Sequence, residues 1–168
     1  LVCLDLSREG YGQRQVYVAT ELAIVVAASL ANHIIAREEL PVGLATEAND
    51  PLADGVAQIY MPPRSDRDHL MGLLETLARV QVASEAPLVD LLERESAKLS
   101  WGATVVVVTG HESEDLYDAL AYLRRTGFAV TLLLIQPAQT PASLDGLARM
   151  LEIPVHRIWR EQDLGLVQ

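Results

Sequence analysis

The chain has 168 residues, 50% of them hydrophobic, which is the size and composition of one domain with a single compact core. Its formal net charge is −10, from 13 lysines and arginines against 23 aspartates and glutamates. Because binding to nucleic acids and anionic membranes depends on clustered basic residues, this composition excludes nucleic acid as an expected partner.

The first predicted element is an apolar strand over residues 1–7, and it contains the single cysteine, Cys3. We expect Cys3 to be a packed core thiol, since reactive thiols need an electropositive, partly exposed setting. A single cysteine forms no internal disulfide, which is consistent with a reducing compartment. Because the chain starts with Leu1 inside this strand, we expect residues 1–168 to be a single domain cut from a longer protein.

Residues 16–37 are apolar almost all round at helical spacing, which predicts a central helix buried on more than one side. Its longest apolar stretch, 22–31, is half of the roughly twenty residues that span a bilayer, so no membrane insertion is expected. Pro41 ends the helix. Residues 42–47 and 56–60 then predict a strand hairpin at a sheet edge, with Pro62 and Pro63 ending it.

Two amphipathic helices are predicted next. Ser65 and Asp68 suggest a capping box for the first helix, whose apolar stripe ends at Val80. The second covers residues 87–99, with leucines facing inward. Its polar residues are interpreted as a solvated face: Glu93, Arg94, Glu95 and Lys98.

Residues 103–109 form the clearest strand, because an unbroken β-branched run predicts burial on both faces, with Val106 and Val107 on opposite sides. A helix ending at Gly127, a strand over 130–135, a short helix starting at Thr140-Pro141 and a strand over 155–159 follow. This alternation predicts a doubly wound α/β fold. Its mostly parallel sheet should have about six strands, one of them an antiparallel edge strand, with helices on both faces.

Motifs of common enzyme classes are absent from the sequence. Gly10 and Gly12 lack the third glycine of a dinucleotide fingerprint, and there is no phosphate-binding loop or nucleophile elbow. The four histidines show no ligand spacing, so each is interpreted as structural: His33, His69, His111 and His156.

The predicted element order resembles the von Willebrand A fold. Short phrases resemble its bacterial branch called domain of unknown function 58, whose members are typically encoded beside MoxR-type AAA+ ATPases. The match extends over essentially the whole chain. The phrases are residues 27–31 (AASLA), 41–44 (PVGL), 62–64 (PPR), 68–70 (DHL), 104–109 (TVVVVT) and 153–155 (IPV).

The resemblance implies a metal-ion-dependent adhesion site with the pattern D-x-S-x-S. Here Asp5 and Ser7 match, and Glu9 replaces the second serine. The fold would place these three opposite Thr109, Gly110 and His111. The family's threonine falls on Ala86 and its aspartate on Gly110, so two oxygen donors are missing.

A cation such as Mg²⁺ takes about six oxygen ligands. We therefore expect a degenerate site and no cofactor, with Asp5 capping its own loop through its side-chain oxygens. Binding of Mg²⁺ is the alternative, in which Glu9, His111 or Glu112 compensates for the lost donors.

The favoured function is a non-enzymatic protein-interaction module. The resemblance implies work with a MoxR-type AAA+ ATPase in protein assembly or maturation. It also implies that this domain is the C-terminal part of a longer protein. The domain would lie in the cytoplasm and be tethered to the membrane by an upstream segment. The loops expected to contact the partner include Thr109, His111 and Glu112. Oligomeric state is left open.

Two alternatives use the same crevice. One is a metal-dependent adhesion domain with a rebuilt site. The other is a hydrolase with Asp5 as nucleophile or metal ligand and His111 as acid and base. Such nucleophiles usually have a lysine nearby, and Lys98 is the only lysine in the chain.

Overall fold

The computed structural model describes residues 1–11, 16–53, 55–83, 87–137 and 142–166. Its strands are β1 (Val2–Leu4), β2 (Val42–Asp50), β3 (Gly55–Arg64), β4 (Thr104–Thr109), β5 (Ala129–Ile135) and β6 (Val155–Ile158). Its helices are α1 (Val16–Ala36), α2 (Arg67–Arg79), α3 (Leu88–Ser96), α4 (Glu114–Arg125) and α5 (Ala142–Met150), followed by a 3₁₀ turn, Glu161–Leu166.

The strands form one sheet in the order β3-β2-β1-β4-β5-β6. The β2–β3 pair is antiparallel and every other pair is parallel, which confirms the predicted doubly wound fold with one antiparallel edge strand. Parallel neighbours of β1 are β2 on one side and β4 on the other, so the strand order reverses at β1.

The sheet separates two hydrophobic clusters, one under α1 and α2 and the other under α3, α4 and α5. In β4, Val107 is fully buried in the second cluster, whereas Val106 is partly buried against the first. Both predicted faces of this strand are therefore covered. Cys3 is 1% exposed, and burial raises the pKa of its thiol to about 12, which confirms a packed core residue.

Helix α1 runs over 21 residues, within one residue of the predicted span. Ala23, Val26 and Ala27 are buried in the core, and a further part of the helix packs against α2. Among the described helices, α1 alone is long and apolar enough to cross a membrane. In this fold it covers the sheet, while Tyr17 and Val18 near its start are exposed.

Two predicted boundaries are corrected. Strand β3 continues through Pro62 and Pro63 to Arg64. The two prolines lie at an irregularity in the pairing with β2, between the Leu44–Met61 and Val42–Arg64 pairs, and prolines are tolerated at edges and bulges of sheets. The cap of α2 is Asp66 rather than Ser65, since the Asp66 Oδ1 accepts the His69 N–H at 2.8 Å. The predicted helix start at Thr140-Pro141 lies outside the described residues.

The predicted solvated face of α3 is wrong at Glu95. This residue is 3% exposed and accepts hydrogen bonds from Arg94 Nε at 2.8 Å and Lys98 Nζ at 2.5 Å. Arg94 also reaches Glu47 on β2 at 2.6 Å, and the Lys98 Nζ lies 4.4 Å from the centre of the Tyr60 ring on β3. Burial works to raise the pKa of Glu95, but the bonds from Lys98 and Arg94 outweigh it and the pKa is lowered. The charges of α3 therefore tie this helix to the β2–β3 hairpin.

Candidate functional site

A cleft of about 260 Å³ lies where β1 and β4 end, at the point where the strand order reverses. Ligands of open α/β sheets bind at such reversal points. The described residues that line it come from the loops after β1 and β4, the start of α3 and the first turn of α4. They are Asp5, Ser7, Glu9, Gly10, Pro87, Leu88, Val89, Thr109, His111, Ser113, Asp115 and Leu116.

Asp5 is the central carboxylate of the cleft and is only 4% exposed. Its Oδ1 accepts the Ser7 N–H at 2.9 Å and the Ser7 hydroxyl at 2.6 Å, and its Oδ2 accepts the Thr109 hydroxyl at 2.7 Å. Burial raises the pKa of Asp5, against these hydrogen bonds and the nearby His111, which lower it. Both carboxylate oxygens are thus already occupied by neighbouring donors.

Ser7 is held by its own loop. While its hydroxyl donates to Asp5, its Oγ accepts the Gly10 N–H at 3.1 Å. The backbone on both sides of Ser7 is tied to Ala83, through Ala83 N–H to Leu6 O at 2.9 Å and Arg8 N–H to Ala83 O at 3.0 Å. The hydroxyl therefore lies in a local turn of the kind expected for a capping aspartate.

The position expected for the missing aspartate, Gly110, is closed by Tyr11. The Tyr11 hydroxyl donates to the Asp5 carbonyl at 2.7 Å, and its ring is buried beside Gly110. A Cβ on Gly110 would lie 2.5 Å from the Tyr11 Cδ1 and 2.7 Å from the Gly10 carbonyl oxygen. Gly10 is equally tight, because a Cβ there would lie 2.1 Å from the Asp5 Oδ2. This loop therefore leaves no room for a side chain at position 110.

The loop after β4 divides its polar groups between the cleft and the protein interior. Thr109 is buried and its Oγ1 also accepts the His111 N–H at 3.2 Å, while the exposed His111 side chain lies at the rim. Glu112 is not part of the cleft lining. It accepts the Tyr117 hydroxyl at 2.6 Å and lies 3.9 Å from Arg157. Its expected role as a compensating ligand is therefore not supported by its position.

Glu9 and Asp115 are the exposed carboxylates of the cleft. Glu9 was expected from the sequence, whereas Asp115 was missed. Asp115 lies in the first turn of α4, where acidic residues are common because they interact favourably with the helix dipole. The sequence therefore gives no indication that Asp115 belongs to the cleft.

The described residues offer few free oxygen donors for an octahedral cation such as Mg²⁺. Asp5 accepts three hydrogen bonds from its neighbours, and Tyr11 occupies the space beside Gly110, the position of the missing aspartate. Within the described part of the chain, no three His, Cys, Asp or Glu side chains are placed to share one ion. Ala86, at the expected threonine position, lies outside the described residues. Metal binding by Asp5, Ser7 and Glu9 stays a prediction that a magnesium titration can test.

A second groove, of about 620 Å³, runs between α3 and α4 and shares Pro87, Val89 and Asp115 with the cleft. Its described lining includes no lysine or arginine, and Tyr122 beside it is 56% exposed. Four carboxylates line it: Asp90, Glu93, Asp115 and Asp118. We call this surface, together with the adjoining cleft, the acidic groove.

A larger groove of about 720 Å³ lies elsewhere, between α1 and the end of β6. Exposed Tyr17, Val18 and Trp159 line it, with Glu21, Arg160 and Glu161 at its rim. It contains none of the sequence-predicted site residues.

No family model matches the chain, and comparison with curated proteins gave no match. Several solved structures do share its fold. An aerotolerance-related membrane protein from Bacteroides fragilis has a TM-score of 0.61 and 13% identity over 98% of this chain and 97% of its own. A von Willebrand factor type A protein from Catenulispora acidiphila has a TM-score of 0.58 and 15% identity over 99% of this chain.

The pilus adhesin SpaC from Lactobacillus rhamnosus GG has a TM-score of 0.55 and 10% identity over 99% of this chain. The chain spans 39% of the Catenulispora protein and 28% of the adhesin. At these identities the likeness concerns the fold. The fold is that of a von Willebrand A domain.

Proposed function

We propose that this domain is a non-enzymatic protein-interaction module that binds its partner through the acidic groove. The observation that carries this proposal is the closed polar network of Asp5, Ser7 and Thr109. Because its donors and acceptors are bonded to one another, the network orders the loops of the cleft and engages the Asp5 carboxylate in hydrogen bonds to its neighbours. Binding then depends on the surface that these ordered loops and the two helices present.

The chemistry of the acidic groove favours a basic partner segment. Exposed carboxylates on α3 and α4 would attract lysine or arginine side chains, and exposed Tyr122 offers an apolar contact beside them. Electrostatic complementarity of this kind fixes orientation and raises association rates.

For the identity of the partner we propose a MoxR-type AAA+ ATPase, with the pair acting in protein assembly or maturation in the cytoplasm. The support is the resemblance of the sequence phrases to domain of unknown function 58. A neighbouring structure is described as an aerotolerance-related membrane protein, which is consistent with membrane tethering through a segment upstream of this domain.

The test is a binding measurement between this chain and a MoxR-type ATPase encoded beside it. Glu93→Lys combined with Asp118→Lys reverses two charges of the acidic groove, both exposed on the middle of their helices. Glu38→Lys combined with Glu75→Lys makes the same net change on the α1–α2 side. We expect the first pair to weaken binding at least about tenfold and the control pair to change it little.

Two outcomes would contradict this proposal. Equal losses from both pairs would show that net charge, rather than the acidic groove, is recognised. An absence of binding by the unmodified chain would remove the MoxR-type partner while leaving open another basic protein.

A rebuilt metal-dependent adhesion site is the second candidate, because Glu9 and Asp115 are exposed carboxylates in the same cleft as Asp5. The hydrolase alternative has less support. The buried Asp5 carboxylate is held by three donors, and Lys98 is bound to Glu95 on α3.

A further inference from the structure

Strand β3 is an edge strand with one free side. It spans Gly55–Arg64, pairs only with β2 in the described sheet, and is the last strand on its side. A free edge presents unpaired N–H and C=O groups, and proteins usually protect it with charged residues, prolines or a covering segment.

The pairing segment of this edge carries no such protection. The seven residues 55–61 (GVAQIYM) contain no charged residue and no proline, and Val56, Ile59 and Tyr60 favour strands. Pro62 and Pro63 follow immediately, so added pairing would end there. Val56 is 54% exposed. The edge is therefore an uncharged strip of defined length.

We propose that β3 pairs antiparallel with β3 of a second copy of this chain, which joins the two sheets across a two-fold axis at Gln58. In this register Gln58 lies opposite its own copy, Val56 lies opposite Tyr60, and Ala57 lies opposite Ile59. Opposed residues are then on the same face of the joined sheet. Aromatic and β-branched side chains make favourable cross-strand pairs, so the segment is complementary to itself.

The charges near β3 favour a second copy as the occupant. The chain carries a net charge of −10, so two copies repel each other over most of their surface. Among the described residues beside this edge, the acidic groups of β2 are paired: Glu47 binds Arg94 and Asp50 binds Arg79. Glu95 likewise binds Lys98. The edge is thus a place where two acidic copies can approach with little repulsion.

Introducing charges of opposite sign at Gln58, on the two-fold axis, tests this pairing, and sedimentation measures the dimer. Gln58 is exposed, so Gln58→Lys and Gln58→Glu are compatible with folding. We expect the unmodified chain to form a species of twice 18.4 kDa, with association that strengthens as salt screens the net charge. Each variant alone places like charges opposite each other and should weaken the dimer about tenfold. An equimolar mixture should restore it as a heterodimer.

The control variant is Val18→Lys, which adds a charge at an exposed apolar residue on α1, away from the edge, and should leave the dimer unchanged. The proposal is overturned if the unmodified chain sediments as a monomer at about 1 mM. If the chain is a monomer, the expected binding partner of the β3 edge becomes an extended segment of another protein. It is also overturned if the two Gln58 variants dimerise as well as the unmodified chain, or if mixing them restores nothing. None of these outcomes bears on the acidic groove, which lies on other elements.

Discussion

Replacing Gly110 by alanine tests the structural account of the cleft, because that account rests on the close contact between this residue and Tyr11. The new Cβ would lie 2.5 Å from the Tyr11 Cδ1 and 2.7 Å from the Gly10 carbonyl oxygen. Ordinary contacts between carbon atoms are about 3.5–4.0 Å, so the ring and the Gly10 backbone must both move by about 1 Å.

The expected cost follows from three contributions. Overpacking in a close-packed region costs about 1–3 kcal/mol. Displacing Tyr11 also weakens its hydrogen bond to the Asp5 carbonyl, which is worth about 0.5–1.5 kcal/mol. Replacing a glycine also lowers the conformational entropy of the unfolded chain, which stabilises the folded protein by about 0.4–1 kcal/mol. The net destabilisation is about 0.5–4 kcal/mol, which lowers the melting temperature of a domain of this size by about 1–16 °C.

The assay is thermal and denaturant unfolding of matched glycine-to-alanine variants. A Cβ added to Gly146 on α5 would have no atom within 4 Å, so Gly146→Ala should stabilise the protein by up to about 1 kcal/mol through helix propensity. In a Tyr11→Ala background the cost of Gly110→Ala should shrink without vanishing, because the Gly10 carbonyl remains. A Gly110→Ala variant as stable as the unmodified protein would refute the closed loop and reopen position 110 to a metal ligand.

Three further outcomes are expected. Millimolar Mg²⁺ would add about 4 kcal/mol of stability at a micromolar site, but we expect almost no change in melting temperature. Asp5→Ala leaves the buried hydroxyls of Ser7 and Thr109 without their acceptor, at about 1–3 kcal/mol for each, and this cost should be the same with and without metal. A Mg²⁺-dependent melting shift that disappears in Asp5→Ala would establish a rebuilt site. Since burial raises the pKa of the Cys3 thiol to about 12, a thiol reagent at neutral pH should label Cys3 only as the protein unfolds, and fast labelling of the native state would contradict its burial. The pKa of Glu95 is lower in the folded than in the unfolded chain, so its stabilising contribution is complete above its unfolded pKa and is lost as pH falls through its folded pKa. Glu95→Gln should therefore reduce the loss of stability at acidic pH, measured by denaturant unfolding. The same loss in both proteins would count against the ion pairs of Glu95.

The sheet could be predicted because its signals are local. The β-branched run of β4 and the alternation of strands and helices are visible within short windows of the sequence, and they fix the layered fold. The end of β3 differs from the prediction because Pro62 and Pro63 are accommodated at a sheet edge where the pairing with β2 is irregular, and the sequence alone reveals neither the sheet order nor this irregularity.

The contacts of the cleft could be predicted only in part, because they depend on how distant segments meet. Asp5 and Ser7 were found because they match the D-x-S-x-S pattern of the family that the sequence resembles. Tyr11 gave no such signal, because its importance comes from lying against Gly110, far along the chain. Burial of Glu95 likewise depends on Arg94 and Lys98 meeting β2 and β3.

The remaining charged groups of the cleft distinguish a small cation from a basic protein as the bound species. A divalent ion needs several oxygen atoms that converge on one point at about 2.0–2.6 Å. In the described residues, the exposed carboxylates are spread over three elements: Glu9 after β1, Asp90 and Glu93 on α3, and Asp115 and Asp118 on α4. Charges spread in this way produce a negative potential over a whole surface, and such a potential attracts extended basic segments without converging on an ion. Because Asp5 already accepts hydrogen bonds from Ser7 and Thr109, we expect that adding one carboxylate alone does not create a metal site. Removing one carboxylate from the rim should instead weaken the binding of a basic partner.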